Sequence, residues 1–330
     1  MISRAATQAR QAAKRIAQQV ERTSLQRSAA FSVKLGADVY FKLEKRQSTG
    51  SFKFRGAMNR LLTLSDEQRA QGCVAASSGN HGAAVACAMQ KLGVNGVIFV
   101  PEQTSSAKVD KIKAYGGDVR FFGTDGLDTE QHARAFAEQN GMFYLSPYND
   151  EQVMAGQGSC GVEIVDDLPD VDAVFVAVGG GGLIGGIGVV LKDHNSEVQV
   201  YGCQPLASPV MARSVEAGEI IDMPSETTLS DGTAGGIEAD ALTFPLNQAV
   251  VDDWVLVKEE QIAMAMQLYT ATEKDAIEGA AGVAVAALLE RRHEIAGKKV
   301  VAVICGGNIN DETLQKARAL CGAESAAGNS

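Results

Sequence analysis

Apolar residues along the chain fall into two alternating rhythms. Short runs rich in β-branched and aromatic residues, at 38–43, 74–77, 97–100, 119–122, 142–145, 173–178, 198–203, 254–257 and 300–304, predict strands. Between them, at 54–62, 83–92, 107–115, 129–139, 152–166, 259–270 and 280–292, apolar residues recur at spacings that predict helices. Ser65 with Gln68 three residues later has the form of a capped helix start. The run Val174-Phe175-Val176 is apolar at every position, which suits a parallel strand covered by helices on both faces. The alternation of strand and helix therefore predicts an α/β protein. No fixed-period repeat and no proline- or serine-rich linker interrupts the pattern, so two domains would have to be joined by direct chain crossings. Residues 323–330, small and polar, predict a frayed tail.

Length and charge narrow this picture. The 330 residues suit two domains or one large one, and a hydrophobic content of 45% supplies a core and excludes disorder. A formal charge of −10 gives no reason to seek nucleic acid or anionic membranes. The longest apolar run, 280–289, is broken by Gly282 and falls far short of the ~20 residues of a membrane span. Cys73, Cys87, Cys160, Cys203, Cys305 and Cys321 form no C-x-x-C pair and match no histidine spacing, which points to a reducing cytoplasm and to no metal site. Residues 1–30 lack the apolar segment of a secretion signal. Arg4, Arg10, Lys14, Arg15 and Arg22 against the single Glu21 look faintly like a transit peptide, but the Ala- and Gln-rich context reads as a surface helix. The 35 glycines are the unusual feature, since about one residue in ten exceeds the ordinary ~7%.

Many of those glycines sit in loops directly after predicted strands. Gly179-Gly180-Gly181-Gly182-Leu183 follows one strand and opens a helix, where bare backbone and a helix N-terminus favour an anion. Gly180, Gly182 and Gly185 fit a dinucleotide frame, but the position that should carry its acidic residue is Gln204, so a phosphate cradle is the better reading. Ser77-Ser78-Gly79-Asn80-His81-Gly82 gathers hydroxyl, amide and imidazole groups at another helix start and is suited to a carboxylate. Cys305-Gly306-Gly307-Asn308 follows the last strand. Loops at strand C-terminal ends converge on one rim of an open α/β sheet, where ligands bind. Lys53, between Phe52 and Phe54 in a Ser- and Gly-rich stretch, is a candidate for a desolvated amine acting as base or Schiff-base former.

The ordered set of Ser51-Phe52-Lys53-Phe54-Arg55-Gly56, residues 77–82, Ala155-Gly156-Gln157-Gly158, residues 179–183 and residues 305–308 resembles the fold-type-II pyridoxal-phosphate (PLP) enzymes, within them the serine/threonine dehydratase and serine racemase group. The resemblance spans about residues 10–315. It implies two open, twisted, mainly parallel-sheet domains of the tryptophan-synthase-β type, with PLP in the cleft between them. The large domain would comprise 1–70 and 149–330, with 71–148 inserted as a smaller one. Lys53 would hold PLP covalently, Phe52 would lie against it, and Asn80 would bond its 3′-oxygen. Gly179, Gly180, Gly181, Gly182 and Leu183 would bind its phosphate, while Cys305 would face the pyridine nitrogen. Ser77, Ser78 and His81 would meet the substrate. The implied activity is that of an ammonia-lyase, converting L-threonine or L-serine to a 2-oxo acid and ammonia by α-proton removal and β-elimination.

The resemblance leaves alternatives. Ser78 matches a serine that serves racemisation in the racemases. Those enzymes also carry acidic metal ligands where this chain has Gln204 and Val210, which cannot supply the carboxylates a divalent ion wants. A 3-hydroxyaspartate dehydratase is the other alternative, because the glycines of 231–238 leave side-chain selectivity unreadable. Glu278 matches a family glutamate near the pyridine ring, and a helix-start acid explains it equally well. The resemblance further implies a homodimer, and the chain's length implies no isoleucine feedback domain.

Overall fold

The computed structural model describes residues 1–327, with side chains as far as Cys321. Ten strands form in chain order: β1 (Leu25–Arg27), β2 (Asp38–Lys42), β3 (Cys73–Ala76), β4 (Gly96–Val100), β5 (Asp118–Phe121), β6 (Phe143–Tyr144), β7 (Ala173–Ala177), β8 (Gln199–Pro205), β9 (Asp253–Val257) and β10 (Lys299–Val303). They build a six-stranded sheet in the order β1-β2-β10-β7-β8-β9 and a four-stranded sheet in the order β5-β4-β3-β6. All pairings are parallel except that of β1 with β2. The four-stranded sheet is drawn from one continuous stretch of chain, and the six-stranded sheet from the stretches on either side of it.

β7 and β10 are neighbours, aligned Val300 to Ala173 and Val301 to Val174, and the four residues are 0–1% exposed. Burial on both faces explains their uninterrupted apolar runs. A second core joins Cys73, Ala75, Ile98 and Val100 of the smaller sheet to Phe54, Met58 and Leu61 of the helix Lys53–Leu62. That helix also packs on Glu151–Asp167, so it is a wall shared by the two sheets. Asp150 caps the latter helix through the N–H groups of Gln152 and Val153 and accepts from Arg60 Nε at 2.7 Å, tying the two helices at one end. Ser65 and Gln68 form the capping box their spacing predicts.

Several local expectations change in the folded chain. The N-terminal helix Ile2–Ile16 forms at the surface as expected, and it also buries one face, with Ala6, Ala9, Ala12 and Ile16 0–1% exposed. Its alanines let it approach closely; a Cβ added at Gly158 would lie 2.7 Å from that of Ala9. The strand expected at 142–145 shrinks to β6, and β1 has no apolar run to announce it. Backbone through residue 327 continues the helix Asp311–Ala327, so 323–327 are not frayed, while 328–330 lie outside the described residues. Among the described residues no helix is long and apolar enough to cross a membrane.

Candidate active site

The C-terminal ends of β7, β10 and β3 open onto one cavity of about 620 Å³. Phe52, Lys53, Ser77, Ser78, Asn80, His81, Gly179, Gly180, Gly181, Gly182, Leu183 and Cys305 all line it. Parallel strands leave their C-terminal loops on one edge, and here two sheets turn those edges toward each other. Tyr148, Lys108, Lys111 and Thr233 line it as well. Thr233 belongs to the glycine-rich segment 231–238 already singled out, whereas Tyr148, Lys108 and Lys111 lie in segments without a glycine-loop signature, so nothing local marked those three.

Lys53 begins its helix just after a stretch strapped to β10. Phe52 N–H donates to Cys305 O at 3.0 Å, Ser51 and Gly306 form an antiparallel bridge, and Gly307 N–H donates to Gly50 O at 3.0 Å. Gly50 can take part because its φ of +77° suits glycine. Lys53 Nζ donates to Pro147 O at 2.9 Å and lies 5.2 Å from the Phe52 ring. Desolvation lowers the amine's pKa to about 8 against the opposing charge of the Glu278 carboxylate. The expected pair of flanking aromatics is only half realised. Phe54 points into the core, 0% exposed, with Lys91 Nζ 5.3 Å from its ring, because helix geometry turns residues 52 and 54 apart.

Two residues after Lys53, Arg55 anchors the helix from behind. It is fully buried and donates to Glu44 (Nε to Oε2, 2.7 Å) and to Glu163 (Nη1 to Oε1, 2.7 Å). Lys42 Nζ donates to Glu163 Oε2 at 2.5 Å, and Thr23 Oγ1 to Glu44 Oε1 at 2.5 Å. Two cations thus balance two carboxylates in the interior, as buried charges require.

The glycine loop enters the helix Gly182–His194 through Gly181, whose φ of +82° is left-handed. A Cβ at Gly180 would come within 2.4 Å of the Tyr148 ring. The loop's N–H groups and the helix start together make an anion cradle. On the facing sheet, Ser77 Oγ accepts from Gly79 N–H at 3.1 Å, just before the helix Asn80–Leu92. His81 is buried, and burial lowers its pKa to about 3, so the ring is neutral. Its Nε2 is 2.9 Å from Leu145 O and donates to it, leaving Nδ1 unprotonated. The imidazole therefore braces the loop, and the donor this residue retains for a carboxylate is its backbone N–H.

Glu278 is the buried acid of the site. Burial raises its pKa to about 7, against hydrogen bonds from Asn80 Nδ2 (3.0 Å to Oε2) and Asn308 N–H (3.2 Å). Although it stands at the N-cap of Gly279–Glu290, its side chain makes no capping bond there. Cys305 Sγ is 4.0 Å from Glu278 Oε1, and burial, with that carboxylate's charge, holds the thiol protonated. Asn308 Nδ2 donates to Asn80 Oδ1 at 2.6 Å, linking the two sheets' loops. Gln204 is spent structurally: Nε2 donates to Val178 O at 3.0 Å, and Oε1 accepts from Ala212 N–H at 2.8 Å. Among the described residues no group of three or more His, Cys, Asp or Glu side chains is placed to hold a metal ion.

A family model described as pyridoxal-phosphate dependent enzyme matches residues 16–306. The chain belongs to this family. It is 41% identical over 297 residues to the L-threonine ammonia-lyase of Thermotoga maritima, covering 90% of this chain and 74% of that one. With the catabolic L-threonine dehydratase TdcB of Escherichia coli it shares 38% over 304 residues, covering 91% and 92% of the two chains. The structure of maize serine racemase superposes with a TM-score of 0.88 at 32% identity, over 95% of this chain and 96% of that one. A PLP-dependent enzyme needs an anion cradle for the phosphate and an amine for the aldehyde. Lys53 and residues 179–183, which line one cavity here, could serve these two needs, and Tyr148 approaches the backbone too closely to admit a side chain at Gly180.

Proposed function

We propose that this PLP-dependent enzyme is an ammonia-lyase that converts L-threonine, and L-serine, to the corresponding 2-oxo acid and ammonia. The observation that carries this reading is a partly desolvated lysine, lowered to about 8, on a cavity shared with the anion cradle, in a chain about 40% identical to enzymes named for L-threonine. Gly179, Gly180, Gly181, Gly182 and Leu183 would hold the phosphate, Phe52 would lie against the ring, and Asn80 and Cys305 would edge it. Bound PLP supplies the electron sink that delocalises charge when the α-proton leaves. Lys53 Nζ is the base that takes that proton, and its lowered pKa keeps much of it neutral near pH 8. Ser77 and Ser78 hydroxyls, with the first N–H groups of Asn80–Leu92, hold the substrate carboxylate and orient the Cα–H toward Lys53. Loss of the β-hydroxyl and hydrolysis of the resulting enamine complete a balanced conversion of threonine to 2-oxobutanoate and ammonia.

The two lobes are read as 71–148 against 1–70 and 149–330, supported by the strand content of the two sheets. A cytoplasmic homodimer is proposed on the family resemblance, with five buried unpaired thiols, Cys73, Cys87, Cys160, Cys203 and Cys305, in keeping with a reducing compartment. Serine racemase is the second reading, favoured by Ser78 on the cavity wall and by the maize structure. Keto-acid release from L-threonine and L-serine, measured with chiral analysis of unreacted serine, separates the two. A purified chain that takes up PLP but releases no keto acid from either amino acid would sink the lyase reading.

A further inference from the structure

This inference rests on the cofactor placement proposed above and concerns what keeps that site in shape. Residues 146–149 touch both of its halves. Pro147 O accepts from Lys53 Nζ at 2.9 Å. The Tyr148 ring lies so close to Gly180 that a Cβ there would meet three of its carbons at 2.4–2.6 Å, and a Cβ at Gly182 would be 3.2 Å from Tyr148 Cβ. One short segment therefore sets the amine and the anion cradle relative to each other. It has no helix or strand to stiffen it. Ser146 Oγ accepts from Asn149 N–H at 3.0 Å within the segment, and residues 238–242 fasten it from outside. Tyr148 Oη accepts from Glu238 N–H at 2.9 Å, and Asn149 Oδ1 accepts from Leu242 N–H at 2.8 Å.

The Glu238 carboxylate joins this fastening to the other sheet. Its Oε2 accepts from Asn149 Nδ2 at 3.0 Å and from Arg134 Nη2 at 2.9 Å, a guanidinium it shares with Glu130. Arg134 belongs to the helix Gly126–Gln139, which packs on β3, β4 and β6 of the smaller sheet. Residues 238–242 belong to the connection between β8 and β9 of the larger one. Glu238 does not line the cavity. An ion pair this open to water adds little to overall stability. Its effect is local instead, because it bears directly on the two residues that adjoin Pro147 O and Gly180, and small displacements of binding groups are costly. We infer that Glu238 is a positioning residue for the cofactor: by joining Arg134 to Asn149 and Tyr148, it holds residues 146–149 against Lys53 and the cradle and so sets how firmly PLP is retained.

The test follows the rate at which the holoenzyme loses PLP, read by absorbance after transfer to cofactor-free buffer, in the wild type, Glu238→Ala, Glu238→Gln and Asp193→Asn. Asp193 is the matched control. It accepts from Arg10 at 2.8 Å at the far end of the helix Gly182–His194, and the side chains of that pair are 42% and 22% exposed, against 40% and 23% for Arg134 and Glu238. PLP loss should be about fivefold faster in Glu238→Ala, the factor for ~1 kcal/mol. It should be accelerated less in Glu238→Gln, which keeps an acceptor oxygen, and not at all in Asp193→Asn. Unaltered release in both Glu238 variants would overturn the inference. So would an equal acceleration in Asp193→Asn, because the effect would then be general loosening and not positioning. Both results leave the placement of PLP standing; a wild type that takes up no PLP would overturn that placement itself.

Discussion

Replacing Arg55 by methionine tests whether the charge network behind Lys53 is as dry and balanced as its geometry indicates. Arg55 and Glu44 are 0% exposed and Lys42 is 0% exposed, while Glu163 is 7% exposed. The guanidinium meets both oxygens of Glu44, at 2.7 and 2.9 Å, and both of Glu163, at 2.7 and 2.8 Å. Methionine fills the volume but leaves two carboxylates to one ammonium. Stripping one partner from a buried pair costs about 3–5 kcal/mol. With an unfolding entropy of ~2.1 cal/mol/K per residue, the 330 residues give roughly 0.7 kcal/mol per kelvin, so Tm should fall by about 4–7 °C if the chain unfolds as a unit. The pH dependence carries a second signature. In the wild type, burial pushes the Glu44 carboxyl up, but the charge and hydrogen bonds of Arg55 more than offset this and leave its pKa lowered. A depressed folded pKa contributes stability above the unfolded value, and that contribution is lost as pH falls through the folded one. Without Arg55 the sign reverses for Glu44, so the gap in Tm between variant and wild type should narrow from pH 7 toward pH 5. Thermal unfolding followed by circular dichroism reads both effects. A Tm change under about 2 °C at pH 7, independent of pH, would refute the claim that these charges are buried and interdependent. The double variant Arg55→Met/Glu44→Gln should recover part of the loss, because it restores the balance of charge.

Three further outcomes follow from the same geometry. Gly181→Ala forces a left-handed backbone at φ +82° and places a Cβ 1.9 Å from Asn247 Nδ2, so PLP affinity should weaken by roughly 5- to 30-fold, the factor for 1–2 kcal/mol; Gly218→Ala, at φ +80° but in open space and remote from the cavity, should leave that affinity unmoved. Glu278 titrates near 7 in the fold, above its unfolded value, so the folded protein keeps a proton the unfolded chain has released and stability should decline as pH rises across roughly 4.5–7; denaturant titrations of Glu278→Gln should show a shallower decline, and an identical slope would contradict the assignment. Capture of added PLP by cofactor-free protein should accelerate as pH rises through about 8, where Lys53 becomes neutral, and a midpoint near 10.5 would mean that the amine is not desolvated.

Local chemistry was readable where function and backbone geometry coincide. Gly179, Gly180, Gly181 and Gly182 after an all-apolar strand signal an anion cradle because only bare backbone tolerates that approach, and the structure sets them at the end of β7. The same holds for the loops at 77–82 and 305–308. Pairings between distant residues were not readable. Glu163 lies 108 residues from Arg55, and nothing in either neighbourhood marks them as partners. His81 is similar: its Nε2–H donates to the Leu145 carbonyl, 64 residues on, a partner that nothing in the loop announces.

Alternation of apolar runs determines the α/β class, and glycine after strands determines which loops can meet an anion, because both depend on neighbours within a few residues. The lowered pKa of Lys53 and the raised one of Glu278 were decided only in the tertiary structure. Each depends on how much water remains and which charges stand nearby, and those neighbours are brought together from both sheets only when the chain folds.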